Sequence, residues 1–580
     1  MMHSDERSPG APSISWEEGR VQSTDDVIAR CRGQSVLFAR TLSRLELQAL
    51  ELPPARLGQC RANIWRNQNF ETFEVLLRPF LTYAGLEVEY RLGGYDDTLD
   101  FERWTPAEVE VVWLDSSRYR GRMAFADWLE WLGARVRDLR SRTSAPILLA
   151  SWDAWAAEEG SRRLAALADG IPGVHVVDLE AACAEEDTAL LDPRVAKVAG
   201  TPISRLAQAV LARRLGCHWL PGLLLPPIKA VAVDLDNTLH SGVLGEEGPV
   251  GVRLEPGHVL LQTALRTLKD RGIFLALISR NELEDVESLF AQRTDYPLRW
   301  DDFSVVEVSW GSKADAVARV ARQLRIAPDA VLFLDDNPGE LVSVAAGCPG
   351  VHPLFASPDG DQTRLALHYY PGLWRGSVSA DDARRVEDMR ANVQRDKLLG
   401  EGHDEERYFQ DLGVVLTVRH DAIADVPRLA ELCRKTNQFN LALRRYNEAD
   451  LAAFMARDDA CVAAVSLSDR LSDSGLIAAL VAVREGGRLT VLELCISCRA
   501  LGRRLEDAIV LSALRCSALF PESEEVVFET AEGPRNQPAR GWLEGLRDRL
   551  EAGKSTGDDR LSADRIGGFT LARGIEVIKE

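Results

Sequence analysis

The feature that most constrains the fold is the apolar run Ala230-Val-Ala-Val233, which ends in two carboxylates, Asp234 and Asp236. A short run of this kind predicts a buried strand of a parallel sheet. Open α/β sheets bind their ligands at the carboxyl ends of such strands. Because side chains alternate along a strand, both carboxylates point the same way. They can act either as nucleophile and general acid/base or as ligands of a hard cation such as Mg²⁺.

Three further apolar runs end in residues suited to the same chemistry. They are Ile273 to Ile278 followed by Ser279, Ser304 to Val308 followed by a helical pattern that begins at Lys313, and Ala330 to Leu334 followed by Asp335 and Asp336. Because the carboxyl ends of parallel strands meet at one edge of a sheet, we expect these side chains to share one site. The helical patterns beside the runs cover residues 256–271, 312–324 and 339–346.

These four places resemble the four motifs of the haloacid dehalogenase superfamily in its phosphatase form. The resemblance implies that Asp234 attacks phosphorus to form an aspartyl phosphate, while Asp236 protonates the leaving oxygen and then activates water. It also implies two sets of binding residues. The phosphate-binding residues are Ser279, Arg280, Asn281 and Lys313, and the Mg²⁺ ligands are Asp234, Asp236, Asp335 and Asp336. No insertion large enough for a bulky cap follows Asp236, which predicts an open site.

Composition narrows the class of protein. A length of 580 residues with 46% hydrophobic residues suits three or four domains. The net charge of −20 argues against a surface for nucleic acid or anionic membrane. No run of 18 apolar residues and no signal-peptide apolar region occur, so we expect a cytoplasmic protein. Ten dispersed cysteines favour reduced thiols over a disulfide framework.

Alternating strand-like and helical runs predict a multidomain α/β protein. The expected divisions are a mobile leader over residues 1–35, a parallel α/β domain over 36–225, the phosphatase-like domain over 226–375, a helical linker over 376–404 and an α+β domain over 405–580. Within the leader we expect only a short helix near residues 25–31, and residues 551–567 read as a loop.

Two blocks in the last domain resemble one family more closely. They are Lys435-Thr-Asn-Gln-Phe-Asn440 with Arg444-Arg-Tyr446, and Ser497-Cys-Arg-Ala-Leu-Gly-Arg503. Together with Asp234-Leu-Asp-Asn-Thr-Leu239 they resemble the FkbH-like proteins. The resemblance implies an SGNH-hydrolase-like first domain, a Rossmann-like haloacid dehalogenase domain and a GNAT-like last domain.

The same resemblance implies a function. Members of the family take the glyceryl group of 1,3-bisphosphoglycerate, remove phosphate and load glyceryl as a thioester onto the phosphopantetheine arm of an acyl carrier protein in polyketide biosynthesis. This chain has His240-Ser241 where the family has Trp-Gly, and Arg280-Asn281-Glu282 where it has Lys-Asn-Asp. These departures lie beside the motifs, so they bear on substrate detail more than on phosphoryl chemistry.

Cys498 stands at a predicted strand-to-helix turn, before a helix expected over residues 502–517. Positive charge and a helix N-terminus lower a thiol pKa and favour the thiolate that attacks an acyl phosphate. The alternative is a buried thiol that only packs, but the resemblance implies the catalytic role. Cys495 completes a C-x-x-C that is also compatible with redox or zinc chemistry, although strand alternation predicts the two thiols on opposite faces.

Polar and basic residues around the motifs are the candidates for binding substrate or carrier. They are Thr238, Asn437, Gln438, Asn440, Arg444, Arg445, Arg499, Gly502, Arg503 and Asn536. For the amide side chains the alternative is capping of helix ends and turns, and for the basic residues it is a solvated face. Residues 499–504 also resemble the GNAT phosphate loop, but Arg504 stands where that loop has Gly or Ala, which disfavours acetyl-CoA.

The first domain lacks a hydrolase signature. Asn67-Gln-Asn69 follows its first strand, yet no Gly-Asp-Ser block stands there, and Asp192 has no matching downstream His. We expect a noncatalytic domain that docks a partner or covers the open site. Two other functions stay open for the whole chain: a plain phosphatase of a free metabolite, and a docking scaffold with silent sites. The complete motif set argues against the scaffold, and the Ser-Cys-Arg block argues against the plain phosphatase.

Overall fold

The structure is a computed structural model that describes residues 15–16, 23–53, 57–152, 157–194, 201–374, 388–389, 391–392, 394–395, 398, 405–533, 535–550 and 560–580. The chain forms two compact units, one over Ala11–Val378 and the other over Ser379–Glu580 with Met1–Gly10. Helices and mainly parallel sheets alternate in the first unit, and the second holds a mixed sheet. The predicted multidomain α/β fold class is confirmed.

The first unit begins with a six-stranded sheet. Its strands are β1 (Ser15–Trp16), β2 (Gly58–Arg66), β3 (Leu86–Tyr95), β4 (Val109–Asp115), β5 (Ile147–Trp152) and β6 (Val174–Asp178). The parallel strands stand in the order β3-β2-β4-β5-β6, and β1 pairs antiparallel with the start of β2. β4 and β5 are buried along their whole length, which explains their continuous apolar sequences.

The helices around this sheet are Thr24–Leu37, Arg44–Ala49, Glu71–Ala84, Phe125–Arg142, Ala157–Asp169, Leu179–Ala184, Arg205–Arg214 and Leu220–Leu224, with a π-helical turn over Leu215–Trp219. The first of them contradicts the predicted leader. Ser23 and Asp26 form a capping box, Val27 and Leu37 are buried, and the Gln34 side chain bonds the backbone of Phe355. Residues 24–35 are therefore part of the folded unit.

The second sheet of this unit has five parallel strands. They are β7 (Ala230–Val233), β8 (Phe274–Ser279), β9 (Val305–Val308), β10 (Val331–Asp335) and β11 (His352–Phe355), in the order β11-β10-β7-β8-β9. Its helices are Leu244–Gly251, Pro256–Asp270, Leu283–Gln292, Lys313–Gln323, Pro338–Gly347 and Gly360–His368. The chain leaves β7 toward β8 on one side and returns as β10 on the other, so the crevice outside β7 and β10 is a topological switch point.

The two sheets of the first unit share one hydrophobic core. Leu77 and Phe80 from a helix of the first sheet belong to the same buried cluster as Leu220 and Val231. His218 also contacts the carbonyl oxygen of His368 through Nε2 at 2.9 Å. The predicted boundary near residue 225 thus separates two sheets that pack together.

The second unit is built on a seven-stranded sheet in the order β17-β16-β15-β14-β13-β12-β18. The strands are β12 (Val414–His420), β13 (Ala460–Ser468), β14 (Asp473–Glu485), β15 (Arg488–Ile496), β16 (Glu525–Phe528), β17 (Arg560–Ser562) and β18 (Ile575–Lys579). The helices are Glu405–Leu412, Val426–Lys435, Glu448–Met455, Glu506–Cys516, Gln537–Leu550 and Ala563–Gly568.

Two sequence predictions for this unit concern residues 551–567 and 376–404. The predicted loop over residues 551–567 is wrong for residues 560–567, which form β17 and most of the last helix; residues 551–559 lie outside the described residues. The predicted linker over 376–404 also lies almost wholly outside them. In the part of the chain that the structure describes, no helix has the length and apolar sequence needed to cross a membrane.

Candidate functional site

The carboxyl ends of β7 and β10 bring three carboxylates together. The backbone N–H of Asp234 donates to the Leu334 carbonyl at 2.9 Å, which places it beside Asp335 at the end of β10. Asp234, Asp335 and Asp336 each offer one oxygen, and these oxygens lie within 4.8 Å of one another. Oxygen ligands of this kind suit Mg²⁺. The structure thus brings together three of the four predicted metal ligands, in an arrangement that could hold a metal ion.

Lys313 supplies a positive charge to the same group. Its Nζ lies 2.8 Å from Oδ1 of Asp234 and 2.7 Å from Oδ2 of Asp335. Ser312 caps the helix by accepting the N–H of Asp315, and this cap fixes where the helix, and so Lys313, begins. Burial disfavours the charged ammonium, yet Asp234 and Asp335 outweigh burial and raise the pKa of Lys313.

Burial dominates the protonation of the carboxylates. It raises the pKa of Asp234, and the nearby charge of Asp335 raises it further, while Lys313 acts in the opposite direction. Burial also raises the pKa of Asp335 and Asp336. A divalent cation among these oxygens would favour their ionised forms, as such ions do in metal sites generally.

The carboxylate of Asp236 is not part of this group, although it was predicted as a fourth metal ligand. Its Oδ1 accepts the backbone N–H of Leu244 at 2.9 Å and lies 3.4 Å from Nε2 of His240. Its Oδ2 accepts from Asn281 at 2.8 Å. Burial alone would raise the pKa of Asp236, but these three neighbours outweigh burial and lower it. The side chain therefore lies outside the group of three carboxylates, with both of its oxygens in contact with other neighbours.

A tight turn carries Asp236 away from β7. Asn237 has a left-handed φ of 53°, and its side-chain oxygen accepts the N–H of Gly242 at 3.0 Å. Gly242 itself has a φ of 105°, a backbone conformation that favours glycine over residues with a Cβ. Thr238 is buried, and among the described residues its hydroxyl has no hydrogen-bond partner.

The predicted phosphate-binding residues divide into two groups. Asn281 donates to Ser279 Oγ at 2.9 Å, and both are buried next to Asp236. Arg280 instead pairs with Glu340 at 2.5 Å and donates to the Gly311 carbonyl at 3.3 Å. The structure thus joins Ser279 and Asn281 to the site, whereas the Arg280 side chain is engaged with the neighbouring loop and helix.

Sequence reasoning missed the contacts of two residues near this site. His240 was noted only as a departure from a pattern, but the spacing of four residues from Asp236 in a turn could have indicated their contact. Trp310 was not considered. Its ring is 70% exposed on the loop after β9, and its Nε1 donates to Glu282 at 2.9 Å, so an apolar surface stands beside the loop of Ser279 and Asn281.

Cys498 follows β15 by two residues and is half-buried, as is Cys516, while the other eight cysteines are buried. The predicted position at a helix start is wrong, because the helix begins at Glu506. Gly502 and Arg504 adopt left-handed φ values of 76° and 58°, which a right-handed helix does not allow. Cys498 therefore lies in the turn between β15 and this helix and not at the helix start.

Two of the arginines that follow Cys498 are buried and bonded to other groups. Arg499 is buried and donates to the Leu476 carbonyl at 3.1 Å. Arg503 is buried and lies 2.7 Å from Asp388. Asp388 in turn accepts from Ser472 at 2.6 Å, and Arg395 lies 2.7 Å from Asp469 within the same buried network. Arg503 is thus held inside the unit, while the N–H of Gly502 lies 3.3 Å from Glu506.

The segment around residues 436–446 is held together by its own polar side chains. Arg445 donates to the carbonyls of Arg434 and Thr436, both at 2.8 Å, and to Asn437 at 2.5 Å, so it caps the helix Val426–Lys435. Buried Glu493 accepts the N–H of Arg444 at 2.7 Å. The capping alternative describes these residues better than a free basic surface.

The remaining candidates of this segment follow the same trend. Asn536 is buried and donates to the carbonyls of Asn440 at 2.9 Å and Ala531 at 2.8 Å. Lys435 pairs with Glu431, and exposed Arg444 pairs with Glu529. Among the predicted carrier-binding residues of this segment, Arg444 is exposed, and Asn437, Gln438 and Arg445 are half-buried.

The edge of β15 next to Cys498 is also covered by this segment. β15 pairs with β16 only over residues 488–491, and beyond that Leu441 donates its N–H to Leu494 at 3.1 Å while Ile496 donates to Phe439 at 2.9 Å. Asn440 donates to Cys495 Sγ at 3.1 Å, so Cys495 is buried against the segment. The two thiols of the C-x-x-C differ in burial, and both are free.

No protein-family profile matches this chain, and no curated protein matches it. Among solved structures, it is similar to the N-terminal part of the protein BF1531 from Bacteroides fragilis, which contains a phosphatase domain complexed with Mg. The identity is 19% and the TM-score 0.44, over 55% of this chain and 95% of that one.

Two other solved structures match smaller parts of the chain. The cobalt-bound deoxy-D-mannose-octulosonate 8-phosphate phosphatase from Haemophilus influenzae is 17% identical, with a TM-score of 0.18 over 24% of this chain and 88% of that one. The 3-deoxy-D-manno-octulosonate 8-phosphate phosphatase from Yersinia pestis is 18% identical, with a TM-score of 0.18 over 25% and 84%. At these scores, any assignment of function depends on the geometry of the site itself.

Proposed function

We propose that the first unit is a Mg²⁺-dependent phosphatase that forms an aspartyl phosphate. The buried contact of Asp234, Lys313 and Asp335 carries this proposal. With Asp336, three carboxylates share the single ammonium of Lys313. Burying more negative than positive charge destabilises the fold, whereas apolar residues at the same positions would not. Perturbed carboxylates at the ligand-binding edge of a parallel sheet are typical of a catalytic site.

The roles follow from the positions of the side chains. A carboxylate oxygen of Asp234 forms a bond to phosphorus as the ester P–O bond breaks, and Asp236, in its protonated form, gives its proton to the leaving oxygen. Asp236 then takes a proton from water, whose oxygen attacks phosphorus, so that inorganic phosphate leaves and Asp234 is regenerated. Ser279, Asn281 and Lys313 hold the phosphoryl oxygens. Asp234, Asp335 and Asp336 would hold Mg²⁺, which would supply positive charge to those oxygens.

Phosphate release from p-nitrophenyl phosphate in the presence of Mg²⁺ tests this proposal. Asp234→Asn removes the nucleophile, and its release should fall by about 1,000-fold or more because the covalent step is lost. EDTA should have a similar effect on the wild type. Asp315→Asn is a matched control, because Asp315 is exposed one turn from the site. Normal release from Asp234→Asn would contradict the assignment.

We further propose that the whole chain is a glyceryl transferase and phosphatase that serves an acyl carrier protein. This proposal is supported by the resemblance to FkbH-like proteins and by the half-buried Cys498 beside the edge of β15. The Cys498 thiolate would attack the carbonyl carbon of 1,3-bisphosphoglycerate, and the bond to the acyl phosphate oxygen would break, releasing phosphate. The Asp234 site would remove the 3-phosphate.

The acyl group would then move from Cys498 to the phosphopantetheine thiol of the carrier, which regenerates the Cys498 thiol. Arg444 and Gln438 are the candidates for contact with an acidic carrier protein, since both keep partial exposure near that strand. Intact-mass analysis of a phosphopantetheinylated carrier, incubated with this protein and 1,3-bisphosphoglycerate, should show a glyceryl adduct. If the mass of the carrier stays unchanged, the transferase proposal is wrong and only the phosphatase proposal remains.

A further inference from the structure

We propose that His240 is a positioning residue for the phosphatase reaction, acting through Asp236. This inference rests on the proposed phosphatase function and adds a residue to it. His240 is fully buried, four residues after Asp236, and its Nε2 lies 3.4 Å from Oδ1 of Asp236. The same oxygen accepts the N–H of Leu244 at 2.9 Å, whereas Asn281 donates to the other oxygen.

Each oxygen of the Asp236 carboxylate therefore has a fixed neighbour. Asn281 restrains Oδ2 from β8, and the turn that follows β7 restrains Oδ1 through Leu244 and His240. Three neighbours on two sides fix the rotation of the carboxylate plane. A carboxylate that exchanges a proton with the leaving oxygen needs this kind of restraint, because small displacements of a catalytic group reduce rates strongly.

The surroundings prevent the imidazole from moving away. Ser241 and Arg253 exchange two backbone hydrogen bonds, both 2.9 Å long, which anchor the chain directly after His240. The ring of Tyr296 packs against the imidazole at a centroid distance of 6.2 Å. The Arg293 guanidinium covers Tyr296 at 4.7 Å from the ring centroid, so the imidazole is enclosed from behind. The turn and the aromatic ring thus hold His240 against Asp236.

A packing role alone does not account for a histidine at this position. Burying an imidazole costs free energy unless its nitrogens find partners. Among the described residues, neither ring nitrogen of His240 makes a well-directed hydrogen bond, and the ion-pair contact with Asp236 is the polar contact that the ring has. An apolar side chain would pack there at lower cost. The orientation of Asp236 is the benefit that offsets this cost.

The test compares kcat and KM for p-nitrophenyl phosphate with Mg²⁺ in the wild type and three variants. His240→Phe keeps a ring that can pack against Tyr296 but removes the contact with Asp236, so kcat should fall by about 100-fold while KM changes less than about twofold. His240→Gln can still donate to Asp236 and should recover about 10-fold of that loss. Tyr296→Phe is the matched control, since the Tyr296 hydroxyl has no hydrogen-bond partner in the described part of the chain.

The outcomes separate this inference from the function on which it rests. If His240→Phe folds and keeps the wild-type kcat, the positioning role of His240 is wrong, and the proposed phosphatase function is unaffected. If His240→Phe does not fold, a His240→Gln variant with KM raised and kcat unchanged overturns it equally. Phosphate release that is absent from the wild type, or unaffected by Asp234→Asn, overturns the proposed phosphatase itself. A loss of kcat in Tyr296→Phe as large as in His240→Phe would mean that packing, and not the contact with Asp236, is responsible.

Discussion

Lys313 Nζ lies 2.8 Å from Oδ1 of Asp234, a contact between the first turn of a helix and the end of a strand in a different part of the chain. The same ammonium is shared with Asp335. It therefore neutralises part of the charge that three neighbouring carboxylates would otherwise concentrate at the carboxyl edge of the sheet. The stability of this edge and its chemistry both depend on how many positive charges it holds.

Lys313→Met tests that dependence. The substitution leaves the carboxylates facing one another, so without Mg²⁺ the variant should melt at a lower temperature than the wild type. Added Mg²⁺ should raise the melting temperature of the variant more than that of the wild type, because the ion replaces the missing charge. Phosphate release should fall by about 100-fold even with Mg²⁺, since a donor to the phosphoryl oxygens is lost. A variant whose melting temperature does not respond to Mg²⁺ would contradict this account.

Arg445→Ala should destabilise the second unit. Arg445 caps the helix Val426–Lys435 through several carbonyls, and losing these charged hydrogen bonds should cost about 2 to 3 kcal/mol of unfolding free energy. Arg444→Ala is the matched neighbour, because its exposed pair with Glu529 should contribute less than about 1 kcal/mol. Urea unfolding of both variants, followed by far-UV circular dichroism, makes the comparison. If both substitutions lower the unfolding free energy by an equally small amount, Arg445 does not cap the helix and is again a candidate for binding the carrier protein.

Cys498→Ala should abolish carrier loading if the acyl group passes through this thiol. Incubation with 1,3-bisphosphoglycerate alone should add a hydroxylamine-labile mass to the peptide that contains Cys498, and the variant should lose that mass. Cys495→Ala should retain it, because Cys495 is buried against Asn440. Phosphate release from p-nitrophenyl phosphate should survive both substitutions. Wild-type loading by Cys498→Ala would mean that the carrier thiol attacks the acyl phosphate directly.

Glu431 gives the second unit a stability that depends on pH. Burial alone would raise the pKa of Glu431, but Lys435 and Arg428 outweigh burial and hold it well below the ordinary value of 4.5. The stabilisation is therefore fully present above about pH 4.5 and decreases as the pH falls further. Glu431→Gln should lower the urea midpoint clearly at pH 7 and by a smaller amount at pH 3.5, where part of the stabilisation is already lost. Glu544→Gln, at an exposed position, should change neither; a Glu431 effect that is the same at both pH values would contradict the prediction.

The parallel sheet around Asp234 was predictable because its strands are buried on both faces. β8 and β10 appear in the sequence as continuous apolar runs, and their observed bounds, Phe274–Ser279 and Val331–Asp335, differ from the predicted runs by one residue. Polar residues directly after such runs then locate the ligand-binding edge. The contact of Asp236 with His240 was missed, because a turn and not a repeating element brings the two side chains together.

The second unit was less predictable where backbone conformation depends on distant partners. The expected helix start at residue 502 fails because Gly502 and Arg504 are left-handed and because the Arg503 guanidinium is buried against Asp388, far away in the sequence. From the sequence alone, the basic residues of the segment 436–446 were predicted to form a solvent-exposed binding surface. In the structure Arg445 is half-buried and hydrogen-bonded to the end of the preceding helix, Val426–Lys435. Sequence composition alone cannot distinguish these two orientations.

The parallel pairing of β10 with β7 sets Val331 beside Ala230. A long loop of chain must close before this pairing stabilises anything, which makes such sheets slow to form. We therefore expect Asp234 and Asp335 to meet at a late stage of folding. On the proposed phosphatase function, the recovery of phosphate release after denaturation measures completion of the sheet, which the recovery of helical content does not.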